Sequence, residues 1–366
     1  MYNISFKAYK TKKLKFLHDN LNTSAWIWNY CISLQKRYYS LYGGYINVNR
    51  LQKHIAKLRN KNPKWKELNS QSVQEICQRV DESYKRFFKG LAKRPPKFKK
   101  AKNFNSFVLK QSGWRIEGNT LWIQKRRYRF SKSREYENIK RISVKRNKLG
   151  EIFFVLCCDL KTVKYERVGD ATIGIDFGLK TYLTISNGEE IQSPEFYKTN
   201  LKTLKNLSKH FSKKEKGSKN RSKALKNLQR AYIKISNKRR DFEWKLAHEL
   251  CKNNSFIALE DLDISGMKKL WGRKVSDLSF SSFVDKLEQV AIKYNTIVQK
   301  VDRWYASSKT CTCGVVNKEL KLSDREWVCS SCGEIHQRDL LASNNILSEG
   351  IRLYRTKHKT DNKSAV

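Results

Sequence analysis

The chain begins with a loose alternation of apolar and polar positions in YNISFKAY, residues 2–9, which predicts a strand. From about Leu14 to Leu91 the period lengthens. Val73, Ile76, Val80, Tyr84 and Phe87 recur at spacings of 3, 4, 4 and 3, one apolar helical stripe with Lys, Arg and Gln opposite. Pro95 and Pro96 stop any helix in KRPPKFKKAKNF, residues 93–104, leaving a basic linker around Phe98. Short alternating runs follow, NTLWIQ, RISVKR and EIFFVLCCDL, so residues from about 105 to 168 read as a small β unit. If the first strand joins that unit, the helical segment is an insertion within it.

After Asp170 the pattern changes. ATIGIDFG and TYLTIS read as strands, and Asn187-Gly188 ahead of EEIQ is a strong hairpin signal. A long basic helical region carries the stripe Leu225, Leu228, Tyr232 and Ile235, and Gly217-Ser218 separates it from the helix before, predicting a helical hairpin. SFIALEDL is the next apolar strand, SSFVDKLEQVAIKY a helix and NTIVQKVD another strand. A hairpin of strands followed by strands alternating with helices indicates a mixed α/β sheet. The polar, basic end of the chain is expected to be disordered.

Composition sharpens this picture. Lys and Arg total 77 against 34 Asp and Glu, a formal net charge of +43, far beyond what solubility requires. A polyanion is the expected partner. No apolar run approaches the length of a membrane-spanning helix and MYNISFKAYK lacks the apolar core of a signal peptide, so the expected setting is the cytoplasm, beside the nucleoid, with no membrane partner. Aromatic residues at 12% suit nucleic acid, where cations meet phosphates and rings stack on unpaired bases. Of the nine cysteines, Cys31, Cys77, Cys157, Cys158 and Cys251 are scattered and read as buried small residues. The other four, Cys311, Cys313, Cys329 and Cys332, have the spacing of a structural Zn²⁺ module. Cys313-Gly314 and Cys332-Gly333 each end a knuckle, which leaves Cys-x-Cys in the first half. Either that loop bends more sharply than usual or Cys311 does not ligate, with His336 as the substitute.

Three acids stand in distinctive surroundings. Asp176 follows Ile173 and Ile175, Glu260 follows FIAL, and Asp339 begins the helical-looking QRDLLASNNIL. A lone surface carboxylate is ordinarily a solvated group or a cap. The ordered set GIDFGLKTYLTISNGE, IALEDLDISGM, VDRWYASSKTC and QRDLLASNNI, interleaved with the cysteines, resembles the TnpB nucleases of bacterial insertion sequences, relatives of type V CRISPR effectors. The likeness is detailed over about 171–350. It implies a RuvC, ribonuclease-H-like core over 171–306 and 336–352, interrupted by a zinc ribbon at 307–335. It also implies a β-barrel-like wedge domain over 1–12 and 93–170 that carries a helical recognition domain, 13–92, with a basic disordered tail at 353–366.

The same resemblance implies a function. Asp176, Glu260 and Asp339 would bind two Mg²⁺, Asp176 bridging, for hydrolysis of a phosphodiester in double-stranded DNA. The protein would act as a monomer with a guide RNA transcribed from the transposon end, beside a short flanking DNA motif. Lys93, Arg94, Lys97, Lys99 and Lys100 are the leading phosphate contacts, and the 222–245 helix is a second basic surface. Gln71 and Gln74, at the start of a helix, are candidates for reading adenine in the flanking motif. Two positions depart from the family: Gln337 stands where Asp is frequent, and Leu341 where Asn is usual. The other readings of the same features are an RNA-guided DNA-binding repressor, a miniature CRISPR effector, and a zinc-ribbon RNA-binding protein in which the acids are incidental.

Overall fold

The computed structural model describes residues 2–159, 164–321 and 323–363, with side chains in the last helix as far as His358. The chain divides into two units, Met1–Lys161 and Thr162–Val366.

In the first unit, strand β1, Tyr2–Lys7, leads into helices α1, Leu14–Tyr42, α2, Val48–Lys61, α3, Pro63–Lys66, and α4, Ser70–Phe88. Strands β2, Ser106–Leu109, β3, Trp114–Glu117, β4, Thr120–Ile123, β5, Arg126–Arg129, β6, Glu137–Arg146, and β7, Ile152–Asp159, complete it. The α4 stripe buries Val73, Ile76, Val80 and Tyr84 in a core shared with the strands. β1 pairs antiparallel with β7 in the sheet β1-β7-β6-β2, so the helices are an insertion between strands of one sheet, as the pattern predicts.

Among the described residues the strands of the expected barrel-like wedge do not close into a barrel. β3-β4-β5 is a separate sheet, joined to the first by the single bridge between Ala8 and Phe130, and no ladder among the described strands closes the run. The reason lies at the free edge of β2. There the Val108 carbonyl accepts the Ser72 hydroxyl at 2.6 Å and the Ser106 carbonyl accepts Arg79 at 3.0 Å. Helix α4 thereby satisfies an edge that a barrel would have to pair. Residues 160–163, the end of the expected β segment EIFFVLCCDL included, lie outside the described residues.

The second unit is built on strands β8, Ala171–Phe177, β9, Thr181–Ile185, β10, Glu190–Gln192, β11, Asn254–Glu260, and β12, Ile297–Val301. Its helices are α5, Phe196–Thr199, α6, Leu201–Ser212, α7, Lys219–Asn253, α8, Ile264–Leu278, and α9, Phe280–Tyr294. Hairpin β13, Glu326–Val328, and β14, Ile335–Gln337, runs directly into α10, Arg338–Lys363. The five large strands form one mixed sheet in the order β10-β9-β8-β11-β12, with β8, β11 and β12 parallel and the β9 hairpin antiparallel. Gly188, at φ 90°, turns that hairpin as Asn187-Gly188 predicts.

Two layers cover this sheet. Ile257 and Leu259 pack with Leu246 and Leu250 of α7 and Phe283 and Leu287 of α9. Phe256 and Ala258, on the opposite face, pack with Ile346 and Leu347 of α10. Side chains alternate along a strand, so this division fixes where every residue of β8 and β11 points. The helical hairpin α6–α7 is present, but its expected stripe is only partly buried. Ala224 and Ile235 are inside, while Leu225 and Tyr232 are exposed.

Helix α10 also corrects an expectation. It continues through 353–363, where a disordered tail is expected, because Ile351, Leu353 and Tyr354 extend its apolar stripe against Phe256 and Val301. Residues 364–366 of that tail lie outside the described residues. Two glycines let this helix approach. A Cβ on Gly174 would stand 2.0 Å from the Ser343 carbonyl oxygen and 2.8 Å from the Leu347 nitrogen. One on Gly350 would meet the Ala258 Cβ at 2.6 Å. Gly174→Ala forces backbone apart, so it should cost about 1–3 kcal/mol or more of stability, the range for overpacking. Denaturant unfolding measures this, and an unchanged midpoint would refute the close approach.

Candidate active site and metal centre

Alternation places two of the three acids together. Ile173, Ile175 and Phe177 face the α7–α9 core, so Gly174 and Asp176 face α10. By the same count Phe256, Ala258 and Glu260 of β11 share that face. β8 and β11 are parallel neighbours with Ile175 opposite Leu259, which brings Asp176 and Glu260 to the same end of the sheet. Asp339 enters from the first turn of α10. All three line one cleft of about 600 Å³, along with Lys180, Lys309, Lys321, Arg325 and Arg338.

The electrostatics of the cleft follow from burial. Desolvation, reinforced by the carboxylates of Asp339 and Glu260, raises the Asp176 pKa to about 7. Desolvation, with a smaller contribution from Asp261, raises Glu260 to about 7 as well. Asp339 is held differently. Its Oδ2 accepts Arg325 at 2.6 Å, and its Oδ1 accepts the Arg338 guanidinium at 2.8 and 2.9 Å. The three carboxylates do not converge as tightly as the cysteines do, for among the described residues they form no group with all ligand atoms within 4.8 Å. As a donor set they nonetheless fit a hard divalent cation: three oxygen ligands, two of which, Asp176 and Glu260, hold their protons more tightly without a cation beside them.

The arginines on Asp339 escape a sequence reading. Arg338 is its neighbour, but Arg325 reaches it only because Arg338 N–H bonds the Arg325 carbonyl at 2.8 Å as β13 pairs with β14. Neither Gln337 nor Leu341, the two departures from the family, lines the cleft. Gln337 is exposed opposite Glu326, and Leu341 is buried against Cys311, Trp327 and Cys329.

The four cysteine sulfurs lie within 4.8 Å of one another, with Cys311 Sγ 3.5 Å from Cys332 and Cys313 Sγ 3.7 Å from Cys329. The short first knuckle bends more sharply, and Cys311 joins the cluster. Gly314 N–H closes a turn on the Cys311 carbonyl three residues back, whereas Gly333 N–H reaches four residues back to Cys329. Both glycines have positive φ, 88° and 71°. The backbone N–H groups of Cys332 and Ser331 lower the Cys329 pKa to about 6, which supplies a thiolate at neutral pH. This donor set is that of a structural zinc site. His336 adds Nε2 at 3.0 Å from Cys311 Sγ, and Cys311, Glu334 and His336 form a second group of adjacent donors. The five scattered cysteines are buried, as expected.

In the first unit, 93–100 is a strap across α1. Trp28 Nε1 donates to the Lys97 carbonyl at 3.1 Å, and Asn29 exchanges two hydrogen bonds with the Lys99 backbone. Lys99 Nζ sits 3.7 Å from the Trp28 ring centroid, and burial lowers its pKa. All five cations, Lys93, Arg94, Lys97, Lys99 and Lys100, remain exposed, Lys99 with its ammonium against the ring. Gln71 Oε1 accepts the Ser112 N–H at 3.3 Å, so it holds the turn after β2. Gln74 is exposed in a groove with Asn49, Gln52 and Asn60. Among the described residues no helix is long and apolar enough to cross a membrane.

The raised carboxylate pKa values make stability depend on pH. The folded state holds these protons more tightly than the unfolded chain, whose carboxyls titrate near about 4. In metal-free buffer the contribution is therefore full below about pH 4 and is lost as pH rises through about 7. Asp176→Asn should flatten this decline in thermal unfolding between pH 5 and 8. Parallel profiles for the two proteins would refute the buried carboxyl.

Comparison with known proteins finds relatives over the same residues. A family model described as "Probable transposase" matches residues 155–270, and one described as "Cas12f1-like, TNB domain" matches 280–346. A "Putative RNA-guided DNA endonuclease" of Streptomyces pristinaespiralis is 35% identical over 213 residues, 57% of this chain and 52% of that protein. The chain thus spans about half the length of that relative. Against the "Putative RNA-guided DNA endonuclease InsQ" of Escherichia coli (strain K12) it is 25% identical over 88% of this chain and 86% of that one. The fold is similar to the protein in "Cryo-EM structure of the Cas12f1-sgRNA-target DNA complex", with TM-score 0.58 and 17% identity over 92% of this chain and 83% of that chain. Two family models are thus matched in order across the acid-bearing strands and the cysteine module, and along them the chain is similar to TnpB-like and Cas12f1-like proteins.

Proposed function

We propose that the protein is an RNA-guided DNA endonuclease of an insertion-sequence transposon. It binds a guide RNA from the transposon end and hydrolyses matched double-stranded DNA beside a short flanking motif. The observation that carries this reading is the cleft in which Asp176, Glu260 and Asp339, from three separate elements, meet inside a rim of lysines and arginines. Cations alone would suit a nucleic-acid-binding module. A buried acidic centre within them opposes phosphate binding unless it serves a metal.

Asp176, Glu260 and Asp339 would hold two Mg²⁺, which lower the pKa of bound water and offset charge on the phosphate. Lys180, Lys309 and Lys321 face the same cleft and draw in the phosphate backbone. Arg325 and Arg338 pair with Asp339 and hold its carboxylate in the cleft, where it would serve as a metal ligand. In the first unit Lys93, Arg94, Lys97 and Lys100 form a basic rim for a heteroduplex backbone, and Lys99 holds the strap in place. Gln74 faces outward among other amides and remains the candidate for reading the flanking motif, while Gln71 has a structural bond. Gln337 and Leu341 stay off the cleft, so neither departure favours the repressor reading.

Asp176→Ala should lower cleavage of a guide-matched plasmid in Mg²⁺ by more than about 100-fold, beyond what is lost when groups supporting a metal ligand are removed. Binding of RNA and of target DNA should persist. Undiminished cutting by that variant would overturn the assignment.

A further inference from the structure

Helix α1 carries aromatic residues at four-residue steps that the proposed cleavage chemistry does not use. Trp26, Tyr30, Tyr38 and Tyr42, with Leu34 between them, form one i+4 ridge, along which each step rises about 6 Å. The two ends of this ridge are uncovered, with Trp26 46% exposed, Tyr30 37% and Tyr42 71%, while Leu34 and Tyr38 between them pack partly against the core. Three of the rings have a basic partner. Lys64 Nζ lies 5.6 Å from the Trp26 centroid, and the Arg50 guanidinium lies 5.4 Å from that of Tyr38. The His54 ring stacks on Tyr30 at 6.2 Å and 11°. At the far end Tyr38 and Tyr42 pair at 4.9 Å, and Tyr45 and the exposed Phe88 pair at 5.4 Å.

The charge around the ridge says what covers it. Residues 20–66, which include most of α1 and all of α2 and α3, hold nine lysines and arginines and no Asp or Glu. A second copy of this surface would bring like charges together, which disfavours self-association. Rings interleaved with cations are instead the arrangement that binds a single strand, with bases stacking on rings and phosphates meeting cations. Guide pairing also exposes a displaced DNA strand, but only while a target is engaged, whereas a resident RNA offers unpaired segments with free base faces throughout. An exposed aromatic ridge also calls for a partner that stays bound.

We infer that the Trp26–Tyr42 ridge of α1 is a stacking platform for an unpaired segment of the protein's RNA. The inference rests on the RNA-guided reading and assigns it a surface. Rings that stack contribute without releasing counterions, whereas cations that meet phosphates set the salt dependence.

The test uses the full chain, a fluorescent single-stranded RNA oligonucleotide, and a duplex RNA of the same length. Trp26→Ala and Tyr42→Ala change exposed side chains and should each weaken single-strand binding about tenfold, within the range for losing one stacked base. The slope of log affinity against log salt and the duplex affinity should not change. Tyr42→Phe, which keeps the ring, should bind as the unaltered chain does, and Arg50→Gln should reduce the salt slope by about one. Equal single-strand affinity in the alanine variants overturns the inference and leaves the RNA-guided reading standing. A dimer in sedimentation that Tyr42→Ala dissolves overturns it in favour of self-association. An unaltered chain that binds no RNA at all overturns both.

Discussion

The candidate site depends on a backbone-to-backbone approach between α10 and β8. At Gly174 there is no room for a side chain, because the Ser343 carbonyl and the Leu347 amide of α10 occupy that space. Gly350 and Ala258 repeat the arrangement two turns further along the helix and one strand over. Two such points fix the helix as a rigid rod on the sheet. Its first turn, with Asp339, is thereby set against the strand ends that carry Asp176 and Glu260. Gly174, two residues before Asp176, is what admits the helix.

The cysteine module acts on the same rod. Hairpin β13–β14 continues without interruption into α10, and Leu341, in the helix's first turn, packs with Cys311, Cys329 and Trp327. Arg325, just ahead of β13, bonds Asp339 directly. Folding of the module around a metal would thus fix the entry of the helix, which makes a structural metal matter to a carboxylate it never touches.

Much of this was legible in the chain. Alternation in IGIDF and FIALE, with Ile173, Ile175, Phe177, Ile257 and Leu259 on one parity and each acid on the other, already assigns Asp176 and Glu260 to the face opposite those residues. The hairpin at Asn187-Gly188 and the buried stripe of α4 follow from local pattern. What was not legible depends on contacts distant in sequence. Ser72 and Arg79 cap the β2 edge where a barrel was expected, and no local signal announces that. Lys99 reads as one cation among five until Trp28 and Asn29 pin the strap. The last turns of α10 read as tail because their apolar residues are sparse, yet Leu353 and Tyr354 are enough to extend the helix against β11 and β12.

The central claim is that three carboxylates from three elements make one divalent-cation site. Fe²⁺ in place of Mg²⁺, with peroxide and ascorbate, cuts the backbone only near where the cation binds. In protein whose cysteine module is loaded with zinc, the account predicts cuts close to residues 176, 260 and 339 together, all lost in Asp176→Ala. Cuts confined to one of these segments, or retained at all three in the variant, would contradict it.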